Sequence, residues 1–194
     1  MPNTMFPIFL KMDQIQTLVV GGGNVGLEKA SAILRNSPEA KLTLVAPFFR
    51  PETLEYLQDF PHVRVIVRGF QSTDLIGLDL IICATDSPVL HAEIKVMAAA
   101  QHLLCNVADT PPLCDFYLGS IVQKGDLKIA ISTNGKSPTL AKRIRAFLDD
   151  VIPEDIQTSL DQLEAARKNL KGDFQEKITQ LNELTKNIIF PKKD

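Results

Sequence analysis

The chain has 194 residues, 45% of them hydrophobic and 23% charged, a balance that suits one or two domains with a buried core. A formal net charge of −2 and the lack of any long basic block argue against a nucleic-acid partner. Three cysteines make no disulfide framework, no apolar run nears the roughly 20 residues of a bilayer span, and the opening residues lack a secretion signal, so a reduced, cytoplasmic protein without membrane contact is expected.

The stretch QTLVVGGGNVGLEKASAILRN begins β-branched, turns through glycines and continues at helical spacing, with Leu27, Ala30 and Leu34 on one face. Further strands are expected at residues 41–46, ended by Pro47, at 62–67, at 78–86 and at 103–107. The segment 78–86 is almost wholly apolar, as in a strand buried on both faces. A helix is expected over 87–100, with Ser87 as N-cap and Pro88 at its first position. Strands alternating with helices at this spacing indicate an α/β fold with a parallel sheet.

Beyond Val107 the rhythm changes. FYLGSIVQKGDLKIAIST reads as two strands joined by a turn at residues 124–126. SPTLAKRIRAFLDDVI reads as a helix capped by Ser137 with Pro138 at its first position. Pro153 opens another helix, with Ile156, Leu160, Leu163 and Leu170 on its apolar face. A last helix carries Phe174, Ile178, Leu181 and Ile188, and the tail at 190–194 is expected to fray.

Gly21, Gly23 and Gly26 form a G-x-G-x-x-G motif between a strand and a helix. In that setting the first glycine permits the tight turn, the second lets a pyrophosphate approach the backbone, and the third allows helix and strand to pack closely. The helix N-terminus adds N–H donors and a positive dipole, so a Rossmann-type dinucleotide site is expected. The second strand ends without the acidic residue that bonds the ribose hydroxyls of NAD, and Arg50 nearby suits either a 2′-phosphate or a solvated loop. These residues leave NAD and NADP both open. Neither Tyr56 nor Tyr117 has a lysine four positions on, which excludes the Tyr-x-x-x-Lys chemistry of short-chain dehydrogenases.

The stretch CNVADTPPLCDF, residues 105–116, sets two cysteines and two aspartates in one turn. Eight residues separate Cys105 from Cys114, and no histidine stands at ligand spacing to either, so a zinc site is not indicated. Cys83 and Cys105 read as buried small residues. Asp109 falls just past the fifth strand's carboxyl end, the edge where open α/β sheets bind ligands. An Asx-type turn residue before Thr-Pro is the competing reading. Asp115 is the rival carboxylate, with apolar neighbours that suggest a structural role.

Six segments in order, FPIFLKM, VVGGGNVGLEKA, ATDSPVLHAEI, CNVAD, LCDFYLGSIV and ISTNGKSPTLAKRIR, resemble the precorrin-2 dehydrogenase/sirohydrochlorin ferrochelatase family, the NAD-dependent part of siroheme synthase. Two departures stand out: NVADTPPLCDF where the family usually has NVVDDPxLCDF, and STNGKSP where it has STGGKSP. The resemblance implies oxidation of precorrin-2 to sirohydrochlorin with hydride passing to NAD, then, in bifunctional members, insertion of Fe²⁺ as a substrate to give siroheme. It implies a homodimer in which the segment after the Rossmann domain interlocks with its partner. The resulting division is a Rossmann domain over 1–112, a small α+β dimerisation segment over 113–150 and a C-terminal helical region over 151–194. The methyltransferase domain fused to some members is expected to be missing, since the chain stops at Asp194.

By family position Asp109 is the catalytic base for both reactions, each of which removes protons. Gly21, Gly23, Asn24, Val25 and Gly26 hold the cofactor, joined by Pro47 and Phe48 after the second strand and by Thr85 at the end of the fourth. The tetrapyrrole's carboxylates call for cations or helix N-termini. Asn134, Gly135, Lys136 and Ser137 are the candidate substrate loop, while Lys142 and Arg143 read equally as a solvated helix face. No resident metal is expected. Two alternatives stay open: a dehydrogenase without chelatase activity, and a non-catalytic NAD-sensing Rossmann protein. Iron versus cobalt, and siroheme versus a corrinoid product, are equally open.

Overall fold

The computed structural model describes residues 3–170 and 173–185, so Ile188 and the tail at 190–194 lie outside the described residues. The chain divides into two compact units, Met1–Tyr117 and Leu118–Asp194.

The first unit is built on a parallel five-stranded sheet. Its strands are β1 (Thr17–Val20), β2 (Leu42–Ala46), β3 (Arg64–Val67), β4 (Leu80–Cys83) and β5 (Leu104–Val107), in the order β3-β2-β1-β4-β5. This is the Rossmann half-sheet, with its reversal of strand order beside β1. Each strand of the sequence reading is present but shorter, since loop residues at either end had been absorbed into the apolar runs. Helices α1 (Asn24–Asn36), α2 (Pro51–Leu57) and α3 (Pro88–Ala100) connect them.

Alternation along the central strands divides the core in two. Val19, Leu44 and Ile82 face one side and pack with Ala30, Ile33 and Leu34 of α1. Leu18, Val20, Ile81 and Cys83 face the other and pack with Ile94 and Ala98 of α3. Both faces of β1 and β4 are therefore buried, the cause of their unbroken apolar sequence. Each such side chain contributes about 1.5–3 kcal/mol on burial. Ser87 caps α3 as expected, its hydroxyl accepting from the Leu90 N–H at 3.3 Å.

The α2 helix was not anticipated. It opens with Pro51 at its first position and Glu52 in its first turn, a legible start signal, and buries Thr53 and Leu57 four residues apart. Its seven residues are too short to give a clear apolar period. A single 3₁₀ turn at Ser72–Leu75 was missed for the same reason.

The second unit pairs β6 (Ser120–Lys124) with β7 (Leu127–Ile131), antiparallel and joined by the two-residue turn Gly125–Asp126. Gly125 has φ +56°, a left-handed conformation suited to glycine. Three helices follow, α4 (Pro138–Val151), α5 (Ile156–Asn169) and α6 (Phe174–Thr185). The α5 helix starts three residues later than the proline suggested. Val122, Ile152 and Ile156 form its small core with Leu127, Ile129, Ile131 and Leu148. Beside that core the buried Lys124 ammonium donates to the Ile152 carbonyl at 2.7 Å and to Glu154 at 2.5 Å, which satisfies a charge that would otherwise be costly. Among the described residues no helix is long and apolar enough to cross a membrane.

Candidate functional site

The connection from β1 to α1 has the shape that an anion requires. Gly21 has φ +135°, and a Cβ there would collide with the Ala84 carbonyl. A Cβ on Gly26 would collide with the carbonyl of Gly21, so these two glycines are fixed by the turn and by the close approach of helix to strand. Gly23 differs: no heavy atom lies within 4 Å of where its Cβ would stand. Its face is the open one, left for a ligand. The α1 helix carries no side-chain cap and no acidic residue in its first turn. Its leading N–H groups and its dipole remain available to a pyrophosphate. Asn24 is exposed there, whereas Val25 packs its side chain into the core and offers only its backbone.

Gly22, which the motif leaves unspecified, is as constrained as its neighbours. A Cβ there would collide with the Phe48 carbonyl and the Phe49 ring. Its carbonyl accepts from the Arg50 N–H at 3.0 Å and from the Thr53 hydroxyl at 3.1 Å. Gly22 thus fastens the β2–α2 loop against the glycine turn. Three consecutive glycines, where the motif explains two, were the signal for it.

In that loop Pro47 is exposed, Phe48 is 68% exposed and Phe49 is buried. Arg50 and Glu52 form a two-pronged pair, Nε to Oε2 at 3.2 Å and Nη2 to Oε1 at 3.1 Å. The hydrogen bond from Arg50 holds the Glu52 carboxyl below its ordinary range, and Glu52 in turn raises the guanidinium. At the end of β4 the Thr85 hydroxyl accepts from the Ser87 N–H at 3.3 Å and lies 2.9 Å from His91 Nε2. Burial pushes the His91 imidazole below its ordinary pKa against the opposing pull of Asp86, so it is neutral near pH 7. His91 lies within the segment ATDSPVLHAEI without being singled out there; its contact with Thr85, one turn into α3, is a product of the fold.

Asp109 lies two residues beyond β5, exposed and with φ +56°. Its carboxylate has no hydrogen-bond or ionic partner among the described residues, so it caps nothing and forms no Asx turn. The turn is closed without it: Thr110 N–H donates to the Val107 carbonyl at 3.2 Å, and the Thr110 hydroxyl to the Ala108 carbonyl at 3.2 Å.

The rest of the stretch folds back along the free edge of β5. Asp115 N–H donates to the Cys105 carbonyl at 2.8 Å, and one Asp115 oxygen accepts from the Cys105 N–H at 2.9 Å. The other takes the Lys95 ammonium at 2.5 Å. Cys114 Sγ accepts from the Val107 N–H at 3.3 Å and lies 3.1 Å from the Val107 carbonyl, to which the thiol donates. Asn106, buried, donates to the Phe116 carbonyl at 2.7 Å. These bonds satisfy backbone groups that an edge strand leaves unpaired. Cys83 and Cys105 are wholly buried and free, and the hydrogen bond between them holds the Cys83 thiol above its ordinary pKa. Among the described residues no three His, Cys, Asp or Glu side chains gather in a way that holds a metal ion.

The parallel sheet brings Gly21, Gly23, Asn24, Val25, Gly26, Pro47, Phe48, Thr85 and Asp109 to one edge, the carboxyl ends of its strands. The four other candidates belong to the second unit, between β7 and α4. There Asn134 and Gly135 have φ +55° and +74°, consecutive left-handed residues, and the Asn134 N–H donates to the Ser132 hydroxyl at 3.2 Å. The sequence reading missed Thr133, which shapes this loop. Its hydroxyl accepts from the Ser137 N–H at 3.2 Å and donates to the Ser137 carbonyl at 3.1 Å. Ser137 in turn caps α4, accepting from the Leu140 N–H at 3.2 Å. Lys136, Lys142 and Arg143 are exposed and unpaired among the described residues.

A family model described as putative NAD(P)-binding matches residues 8–120, and one described as sirohaem biosynthesis protein central matches 124–150. The siroheme synthase of Pseudoalteromonas atlantica is 37% identical over 169 residues, which cover 87% of this chain and 36% of that protein. That of Psychrobacter cryohalolentis is 34% identical over 190 residues, covering 91% and 36%. The chain thus spans about a third of the length of these relatives. Among solved structures, the precorrin-2 dehydrogenase SirC superposes with a TM-score of 0.73 at 24% identity, over 97% of this chain and 93% of that one, a likeness of fold.

Proposed function

The chain belongs to the precorrin-2 dehydrogenase and siroheme synthase family, and from that premise we propose that it oxidises precorrin-2 to sirohydrochlorin with NAD⁺ and then inserts Fe²⁺ as a substrate. The observation that carries this reading is Asp109: an exposed, unpartnered carboxylate in a left-handed conformation on the same sheet edge as the open glycine turn. Dehydrogenation removes a hydride and a proton. When bound, the nicotinamide supplies the hydride acceptor. Asp109 takes the proton as general base. In metal insertion the same carboxylate accepts protons from the pyrrole nitrogens.

Gly23, Asn24 and the backbone of Val25 and Gly26 hold the pyrophosphate, with Gly21 shaping the turn. Pro47 and Phe48 line the adenosine side, and Thr85 faces the cofactor. NAD rather than NADP is favoured because the one cation after β2, Arg50, is already neutralised. The loop at Asn134, Gly135, Lys136 and Ser137 suits a carboxylate of the substrate, with the exposed Lys136 ammonium and the α4 dipole behind it. A cytoplasmic setting accords with three free cysteines.

A homodimer accounts for the apolar stripe of α4. Leu140, Ile144, Phe147 and Val151 recur at helical spacing and are exposed, while Ala141 is the one residue of that helix fully buried. A second copy covering this stripe removes it from water. Phe147→Glu should then shift the sedimenting species from dimer to monomer, and a wild-type chain that is monomeric at all concentrations refutes the pairing.

Incubation with precorrin-2 and NAD⁺ is expected to yield NADH and sirohydrochlorin; no turnover with either nicotinamide cofactor refutes the dehydrogenase reading. Fe²⁺ added to sirohydrochlorin should be incorporated faster than in protein-free buffer. Equal rates leave the chain a dehydrogenase alone.

A further inference from the structure

We propose that Glu52 sets the cofactor preference of this chain, by neutralising the guanidinium of Arg50 that would otherwise attract a 2′-phosphate. The inference rests on the dinucleotide reading above and adds to it a residue with a defined role. In a Rossmann site the ribose 2′ position falls beside the end of the second strand, where an acid selects NAD and an arginine accommodates NADP. Here no acid stands at the end of β2, and Arg50 follows four residues beyond it. Sequence rules taken alone leave NAD and NADP both open.

The geometry tips that balance. Arg50 is fixed at this edge through its backbone, since its N–H donates to the Gly22 carbonyl inside the glycine turn. Its side chain is partly exposed, at 45%, within reach of a ligand seated there. One edge of the guanidinium, Nε and Nη2, is engaged by the two oxygens of Glu52, and the carboxylate cancels its charge. Glu52 itself stands in the first turn of α2, where the helix dipole favours a carboxylate.

A 2′-phosphate, carrying about −1.5 to −2 charges, meets here a pair with no net charge. A lone guanidinium roughly 5 Å from it would, even at water-like dielectric, raise affinity by about tenfold, and Glu52 cancels that attraction. The unphosphorylated ribose of NAD forgoes nothing. The preference is thus set by one side chain two residues from the arginine, not by an acid on the strand itself.

The experiment titrates wild-type, Glu52→Gln and the double variant Arg50→Gln/Glu52→Gln with NADH and NADPH, following the fluorescence of the bound nucleotide. Wild type is expected to bind NADH at least as tightly as NADPH. Glu52→Gln should shift the NADPH/NADH affinity ratio at least tenfold toward NADPH, and the double variant should lose that gain. A ratio unmoved in Glu52→Gln overturns the inference. So does a gain that survives in the double variant, since Arg50 then plays no part. A wild-type preference for NADPH overturns it as well. A wild-type chain that binds neither nucleotide overturns the dinucleotide reading and this inference with it, an outcome distinct from the others. Thermal unfolding of each variant separates loss of fold from loss of affinity.

Discussion

Replacing Asp109 separates the chemistry of its carboxylate from the geometry of its backbone. At φ +56° an L-residue other than Asn or Asp carries a strain of roughly 1–2 kcal/mol, which glycine lacks. The side chain has no partner among the described residues, so no hydrogen bond is lost on substitution. Asp109→Asn should therefore leave stability within about 0.5 kcal/mol, Asp109→Ala should lower it by about 1 kcal/mol, and Asp109→Gly should match or exceed wild type. All three lack a base. Their rates of sirohydrochlorin formation should fall together, by roughly 10²–10⁴. Urea unfolding measures the first series, and NADH appearance at saturating precorrin-2 the second. The two orders must be independent. An Asn or Gly variant within tenfold of the wild-type rate refutes the assignment, and so does a set of rates that tracks stability.

Other substitutions test the surrounding frame. Gly22→Ala drives a methyl into the Phe48 carbonyl and should cost about 1–3 kcal/mol, read as a lowered melting temperature. Gly23→Ala meets no protein atom and should leave the melting temperature in place while weakening NADH binding in a fluorescence titration. Tyr56 buries a hydroxyl without a partner, so Tyr56→Phe should stabilise the chain by about 1 kcal/mol in urea unfolding. Asp74 is held below its ordinary pKa by hydrogen bonds from Arg68, and it also accepts from the Gln71 N–H. A depressed carboxylate stabilises the fold above its unfolded pKa of about 3.9, and that contribution fades as pH falls through the lower folded value. Asp74→Asn should accordingly destabilise at pH 7, and the gap to wild type should narrow in unfolding curves taken below pH 4.

The parts of the fold legible in the sequence are those whose cause is local and repeated. The buried strands announce themselves by apolar runs, and α3 and α4 by a serine cap followed by proline. The glycine motif is legible because each glycine answers a steric demand that recurs wherever a pyrophosphate meets a helix. Missing were the features whose cause lies across the fold. The α2 helix has too few residues for a period, and Gly22 is constrained by the Phe48 carbonyl, twenty-six positions away. Thr133 and His91 are set by partners that only the turn and the helix bring close.

The aspartates of CNVADTPPLCDF show how far position alone can carry an assignment. Both follow an apolar strand, and a sequence offers no measure of which is free. The edge of β5 decides between them. Its unpaired backbone groups need partners, and Cys114, Asp115 and Phe116 supply them through the Cys105, Asn106 and Val107 bonds. Asp115 is consumed in that task, with both oxygens engaged. Each of these bonds contributes about 0.5–1.5 kcal/mol, so together they outweigh the strain at Asp109. A left-handed residue persists only where its surroundings over-determine it. The returning segment is that surrounding: by pinning the chain on both sides of the turn, it holds Asp109 exposed and without a partner among the described residues, as the proposed base requires.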